Sequence, residues 1–413
     1  MARQFRAAGH EIVASPDAAD MAVVNTCAVT TSAASDSRGR IRHIARAGVE
    51  EIVATGCWTT LQPQKALELP SVSRVVTNDR KDHLVADVLD LHPNPSTGSG
   101  QAFDLEPLTR IPLPGLHRRT RAFIKVQDGC DNQCTFCITT VARGESRSRT
   151  VADIILDIQS ALEGGTNEIV LTGVHLGSWG YDFDSHLTEL IKVILRETGT
   201  PRLRLSSLEP WDLSPDFFSL WTSPRLMPHL HLPLQSGSES TLRRMARKTT
   251  PGSFRELVKA AREAIPDVAI TTDIIAGFPG ETEKEFAETL DFVREMDFAG
   301  GHVFTYSARP GTGAARMKGQ VKPELRKKRN HILQEALEES AKSYRERFVG
   351  RKMSVLWEST SEMGEWGWKM EGWTGNYLRV SAFAPSPRWN EVDRVSLEEV
   401  EDDRMKGVIL NRG

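Results

Sequence analysis

At 413 residues the chain is too long for one ordinary domain, and two or three are expected. A formal charge of −3 excludes a global pull toward nucleic acid or anionic membrane, so any RNA must be held by local patches. No apolar run approaches the ~18 residues of a membrane span, the N-terminus is no signal peptide, and five cysteines form no even framework, which together predict a cytoplasmic protein with reduced thiols.

The fold class read from the pattern is α/β. In residues 1–92 the apolar runs "MAVVNTC" and "EIVATGC" alternate with helix-like stretches such as "DSRGRIRHIARAG", the beat of parallel strands and helices. Residues 93–117, rich in Pro, Gly and Ser without periodicity, read as a linker. From 118 to 347 six candidate strands, "RAFIKVQ", "NEIVLTG", "RLRLSS", "HLHLPLQ", "VAITTDIIAGF" and "GHVFTYS", interleave with helices as in a partial (βα)6 barrel. Leu325, Ile332, Leu333, Leu337, Tyr344 and Phe348 then mark an amphipathic helix, with Arg326 to Arg329 read as a solvated face. Residues 348–413 look like short strands separated by turns, a small β-barrel whose Trp357, Trp366, Trp368, Trp373 and Tyr377 are read as its core more readily than as base-stacking surfaces.

"DGCDNQCTFCITT" places Cys130, Cys134 and Cys137 at C-x3-C-x2-C spacing just after the first barrel strand, where such folds keep their chemistry. Three thiolates on a four-iron cluster leave one iron open. The alternative, zinc with a distant fourth ligand, fits less well, because zinc modules usually present two paired knuckles. The triad resembles the signature of the radical S-adenosylmethionine (SAM) superfamily, and Phe136 fits the aromatic usual between the last two cysteines. The resemblance implies that SAM chelates the open iron of a [4Fe–4S] cluster and is cleaved to methionine and a 5′-deoxyadenosyl radical. Four further strand ends, "LTGVHLG", "RLSSLEP", "HLPLQSGS" and "TTDIIAGFPGE", carry small or polar residues. Each alone is ordinary βα-turn chemistry, but on one rim they suggest a cradle. Phe136, Ser207, Glu209, Gln235, Asp273 and Gly277 are the candidate cofactor contacts.

Cys27 and Cys57 each follow an apolar strand, and each alone would be an ordinary core thiol. As the pair "NTC" and "TGC" they resemble the N-terminal domain of the methylthiotransferase family, which holds a second [4Fe–4S] cluster. The family order, that domain, the radical barrel, then an RNA-binding TRAM domain, spans nearly the whole chain. "VARGESRSR", "LTGVHLGSWG" and "PLQSGSESTLRRMARK" most resemble the branch acting on C2 of N6-threonylcarbamoyladenosine (t6A) at position 37 of tRNA. Sister branches act on isopentenyladenosine in tRNA or on a ribosomal-protein aspartate. The implied reaction uses two SAM molecules, one as methyl donor to sulfur and one as radical source. An unactivated aromatic C–H has no useful acidity near neutral pH, so no general base is assigned.

One departure stands out. The family's second cluster has three cysteines, and this sequence carries two; "MARQFRAAGHEIV" reads as the end of the helix that should follow the missing one. The expectation is a segment absent through a late-assigned start or a deletion, and poor assembly of that cluster. A degenerate RNA-binding protein with one cluster is therefore the rival reading. Expected partners are tRNA and an electron donor such as flavodoxin or ferredoxin, with the sulfur source unassigned and no membrane. Arg143, Arg147, Arg149, Arg243 and Arg244 are the phosphate-contact candidates.

Overall fold

The computed structural model describes residues 1–91, 120–364 and 367–410; the linker expected at 93–117 and Trp366 lie outside them. By compactness the chain forms two units: Met1–Arg118 with Gly129–Glu145 and Ser307–Ala315, and Arg119–Asp128 with Ser146–Tyr306 and Arg316–Gly413. The sequence division follows chain order, whereas packing draws the 129–145 loop to the N-terminal region and the C-terminal barrel to the (βα) barrel.

In the first unit β1 (Met21–Thr26), β2 (Glu51–Gly56) and β3 (Val72–Val76) form a parallel sheet in the order β1-β2-β3. The two strands expected from the sequence are there; the third is too short and mixed to stand out in its apolar pattern. Helix Thr31–Arg46 starts where the Thr30 hydroxyl accepts the Ala33 N–H, and it buries Ala34, Ile41 and Ile44. The same core takes in Ile52, Ala54, Cys57 and Trp58, and also Ile138 and Ala142 from the 129–145 loop. Burying a side chain such as Ile41 or Ile138 contributes about 1.5–3 kcal/mol, so hydrophobic packing anchors that loop.

In the second unit β4 (Arg121–Lys125) leads into β5 (Gln127–Asp128), which pairs antiparallel with β6 (Arg147–Ser148). β7 (Glu168–Thr172) and β8 (Arg202–Leu205) join β4 in the order β4-β7-β8, while β9 (His229–His231), β10 (Ala269–Ala276) and β11 (Gly300–Thr305) form the order β11-β10-β9. Parallel bridges Leu203↔Leu226 and Ser207↔His231 link the two halves, giving the expected six-stranded partial barrel. Alternation decides the faces. Ala122, Ile124, Ile169, Leu171, Leu203, Leu205, Ile270 and Ile274 pack outward with Ile154, Ile191 and Phe254 of the surrounding helices. The opposite parity, including Phe123, Lys125, Thr172, His231, Asp273, His302 and Phe304, faces the concave side.

Helix Pro323–Glu346 forms as the periodicity predicts, but its basic cluster is not uniformly solvated. Lys327 and Lys328 are exposed, whereas Arg329 is buried and donates to Glu281 (2.8 Å) and Glu283 (2.6 Å), and Arg326 donates to the Tyr306 carbonyl (2.5 Å). A basic run on a helix reads as surface until the carboxylates that meet it are placed.

β12 (Lys352–Gly364), β13 (Gly367–Thr374), β14 (Arg379–Ala384), β15 (Val392–Glu401) and β16 (Arg404–Ile409) close into a barrel in the order β12-β13-β14-β16-β15. Trp357 lies fully buried at its centre and donates its indole N–H to Asp393 (2.8 Å). This barrel caps the amino-terminal ends of the six strands. There Glu168 receives Arg202 (2.8 Å) and Arg204 (2.7 Å), and Arg121 reaches Glu358 (2.9 Å). Tyr377 stacks on His229 with centroids 4.4 Å apart and on Trp373 at 4.6 Å. Trp373 and Tyr377 therefore face the larger barrel, a role that a core reading of the small barrel did not anticipate. Among the described residues no helix is long and apolar enough to cross a membrane.

Candidate iron–sulfur and cofactor site

The triad loop has a closed neck. Gly129 adopts φ +75°, and a Cβ there would stand 1.8 Å from the Glu145 carbonyl oxygen, so only glycine fits. Cys130 N–H donates to the Gly144 carbonyl (3.1 Å), and Cys137 N–H to the Cys134 carbonyl (3.0 Å). The Cys130 sulfur accepts the Asn132 amide, and the Cys137 sulfur accepts the Thr139 amide, each at 3.4 Å. All three thiols, and Phe136 between them, are partly exposed. Segment 307–315 backs the loop, with Ala314 N–H donating to the Thr135 carbonyl (2.8 Å). Among the described residues no three His, Cys, Asp or Glu side chains stand close enough to hold a metal as they are placed. The donor chemistry nonetheless fits an iron–sulfur cluster: a sulfur-only set on one short loop, with amide hydrogens offered to two of the sulfurs, the kind of contact that tunes such centres.

Cys27 and Cys57 leave neighbouring strand ends, because the parallel register sets Thr26 opposite Gly56. The motifs around them are structural. Gly56 sits at φ +99°, and a Cβ there would be 2.3 Å from the Thr26 carbonyl oxygen. The Thr26 hydroxyl donates to the Thr55 carbonyl (2.7 Å) and accepts the Thr59 amide (3.2 Å), tying both cysteine-bearing turns together. Two residues here escaped the sequence reading. Buried Asn78 donates its amide nitrogen to the Cys57 sulfur (3.5 Å) and the Ala142 carbonyl (2.7 Å). Arg309, in the polar stretch after the last strand, is buried and donates to the Thr31 hydroxyl (3.1 Å). Burial pulls the Arg309 guanidinium's pKa down, with Cys27 as the charge opposing that shift. Two thiols are only part of a cluster's ligand set.

The strand-end residues divide. Ser207 is exposed, and Gln235 holds φ +71° in a bridge to Ile274. Glu209 is committed to Arg247 through two bonds of 3.1 and 2.6 Å. Asp273 lies 3.3 Å from His231 while its other oxygen is buried without a hydrogen-bond partner. Gly277 adopts φ +73°, but the close approach it permits is taken by the Arg326 side chain, whose Cγ would meet a Cβ at 2.2 Å. A buried pair, His175 Nε2 and Asp212 Oδ2 at 2.6 Å, was not foreseen as a pair. Its trace in the sequence is Gly177, where a Cβ would meet Asp212 at 2.4 Å. Of the arginines, Arg149 is held by Asp157 (2.7 Å), Arg243 by Glu239 (3.1 Å) and Arg244 by Glu285 (2.8 and 3.0 Å). Arg143 is half-buried and Arg147 exposed.

Two family models match: the Radical SAM superfamily over residues 124–293, and Uncharacterized protein family UPF0004 over residues 1–77. The chain is 36% identical over 382 residues to "Threonylcarbamoyladenosine tRNA methylthiotransferase MtaB" of Bacillus subtilis, covering 91% of this chain and 85% of the relative. The protein of the same name in Thermotoga maritima is 39% identical over 364 residues, covering 87% and 82%. A tRNA-2-methylthio-N(6)-dimethylallyladenosine synthase of Anaplasma marginale is 32% identical, covering 85% and 79%. Among solved structures the radical SAM methyltransferase TsrM of Kitasatospora setae aligns with a TM-score of 0.55 at 17% identity, over 71% of this chain and 64% of that one, a likeness of fold.

Proposed function

We infer the activity from one premise: the chain belongs to the tRNA methylthiotransferases of the radical SAM superfamily. It is an enzyme that places a methylthio group on C2 of N6-threonylcarbamoyladenosine in tRNA. Identity to threonylcarbamoyladenosine enzymes across about nine-tenths of the chain is the observation that carries this reading. When bound, the [4Fe–4S] centre and SAM supply one-electron cleavage chemistry and a methyl donor.

The chain's own residues do the rest. Cys130, Cys134 and Cys137 supply three thiolates, and the Asn132 and Thr139 amides offset charge on two of them. The Gly129 neck and the buried Ile138 and Ala142 anchor the loop, and the sulfurs it carries draw together on loading. Ser207, Gln235 and Asp273 are assigned to SAM as strand-end polar contacts, with Phe136 as an apolar neighbour. Glu209 and Gly277 act at one remove, since Arg247 and Arg326 occupy them. Cys27 and Cys57 are assigned to the second cluster. For phosphate contacts Arg147 is the strongest of the expected set, because Arg149, Arg243 and Arg244 are already paired. Functionally we keep three regions, 1–92, 118–347 and 348–413. The electron donor is assigned to the low-potential flavodoxin or ferredoxin class.

The test is nucleoside mass spectrometry of tRNA incubated anaerobically with reconstituted protein, SAM and reductant. A 2-methylthio derivative of t6A is expected. A methylthio product on isopentenyladenosine instead would move the chain to the sister branch.

A further inference from the structure

The arginines expected to meet RNA are largely neutralised by the protein itself: Arg149, Arg243 and Arg244 are held by Asp157, Glu239 and Glu285. Helix Thr31–Arg46 of the N-terminal unit is the opposite case. Its 16 residues carry Arg38, Arg40, Arg42, His43 and Arg46 against a single carboxylate, Asp36. Arg40, Arg42 and Arg46 are exposed, and their side chains make no ion pair or hydrogen bond among the described residues. Arg38 has no carboxylate partner either; its guanidinium stands 5.5 Å from the ring centroid of buried Trp58. Asp36 accepts the Ser32 hydroxyl (3.4 Å) and meets none of the four arginines. Ala34, Ile41 and Ile44 turn into the core. At 3.6 residues per turn, Arg38, Arg42 and Arg46 then fall on one ridge beside that buried face, successive members about 6 Å apart along the axis. A solvated helix face ordinarily mixes both signs of charge, and this one does not. A cation in the last turn complements the helix dipole, which accounts for Arg46 and not for a row that begins two turns earlier.

We propose that Arg38, Arg42 and Arg46 form a ridge that grips the sugar–phosphate backbone of the tRNA substrate. The proposal rests on the tRNA methylthiotransferase reading and deepens it by naming an RNA surface on the N-terminal unit. A chain with a formal charge of −3 has no global field to hold a polyanion, so unpaired local cations must do it. Phosphates recur along an RNA strand at steps of similar length to one helical turn, and a row of cations meets several of them at once. All three members are arginine, whose planar fork offers a phosphate two N–H donors together, where lysine is a point charge. Such contacts set the position of the RNA and carry no base information, so these are positioning residues. An acidic electron-donor protein would also be drawn to a basic surface, but it presents no fixed repeat of charge along a line. The regular spacing of the ridge favours RNA.

The experiment measures binding of fluorescent full-length tRNA, with and without t6A, across a salt series. The wild-type chain is compared with Arg42→Gln/Arg46→Gln, with Arg42→Lys/Arg46→Lys, and with Lys327→Gln/Lys328→Gln, which removes two exposed charges from the other unit. The glutamine pair is expected to flatten the slope of log affinity against log salt by about 1 per arginine, equally for both tRNAs. The lysine pair should keep most of the wild-type slope and the Lys327/Lys328 control all of it. An unchanged slope in the glutamine pair, or an equal loss in the control, would overturn the ridge. Slower reduction by reduced flavodoxin with tRNA affinity unchanged would assign the surface to an acidic protein and overturn it too. Should the glutamine pair fail to fold, Arg42→Gln alone decides: a slope loss of about 1 supports the ridge, and none contradicts it. Formation of the methylthio nucleoside by wild type is scored separately. Its absence with ridge-dependent binding intact counts against the assigned reaction and leaves the ridge standing; its presence with ridge-independent binding overturns the ridge alone.

Discussion

The two ends of the same six strands have been given opposite chemistry. At the amino-terminal end Glu168, Arg202, Arg204, Arg121 and Glu358 neutralise one another beneath the C-terminal barrel, and Tyr377 stacks between His229 and Trp373. On the concave face Phe123 and Phe304 stay exposed, and polar atoms of Asp273 and Ser206 stay unmet. Charge that is paired and covered holds a fold together; polar atoms left without partners in a folded protein ask for a ligand. Residue type alone does not separate the two ends, since both are rich in His, Arg and acid. Pairing does.

Breaking this contrast begins with the triad. Cys134→Ala removes one of three sulfurs on a loop whose anchors are Ile138 and Ala142. Radical-cluster iron and SAM-dependent 5′-deoxyadenosine should fall to background, measured by iron assay and chromatography, with thermal unfolding unchanged. At the amino-terminal end of the six strands Glu168→Ala leaves two buried guanidinium groups facing each other. The expected cost is about 3–5 kcal/mol of stability, read from denaturant unfolding.

Acid probes the same carboxylate. Burial pushes Glu168 up, but Arg204 and Arg202 outweigh it and bring its pKa down to about 2. Its contribution is thus complete above the ordinary glutamate range near 4.5 and is lost as pH falls from there toward about 2. His229 adds in the same sense, since burial and nearby arginine charge keep it neutral and hold its pKa well below 6.5. Unfolding midpoints should decline below pH 6.5 and fall steeply below 4.5, and the Glu168→Ala variant should lose the steeper part.

Gly56→Ala sharpens the comparison in the other unit. At φ +99° with the Thr26 carbonyl 2.3 Å from the new Cβ, it should cost about 1–3 kcal/mol and misplace Cys57, seen as a lower unfolding midpoint. The smallest effect expected is Thr282→Ala. It removes the capping box of helix Glu283–Met296, about 1 kcal/mol, without touching 5′-deoxyadenosine formation.

Much of the fold was legible because its signals are local. Short apolar runs mark the barrel strands and the first two strands of the N-terminal sheet, and the triad lies within eight residues of chain. What escaped depends on distant pairings. Arg329 reads as surface until Glu281 arrives 48 residues away, and Asn78 joins Cys57 to Ala142 across 64. Glu209 and Gly277 were read as ligand contacts because their types suit a rim, but their spaces are filled by Arg247 and Arg326. The choice between core and base stacking for Trp373 and Tyr377, and the exposure of the concave-face phenylalanines, follow the same rule, because both are set by which strands meet.

The most direct test crosses the triad loop and the paired charges in one experiment. Cys134→Ala and Glu168→Ala are each assayed for thermal unfolding and for 5′-deoxyadenosine formation at a temperature where both remain folded. The account predicts a double dissociation: the cysteine variant loses the chemistry and keeps its stability, and the glutamate variant loses stability and keeps the chemistry per folded molecule. Loss of 5′-deoxyadenosine in folded Glu168→Ala, or a native level of it in Cys134→Ala, would contradict the division of labour between the triad loop and the paired charges beneath the C-terminal barrel.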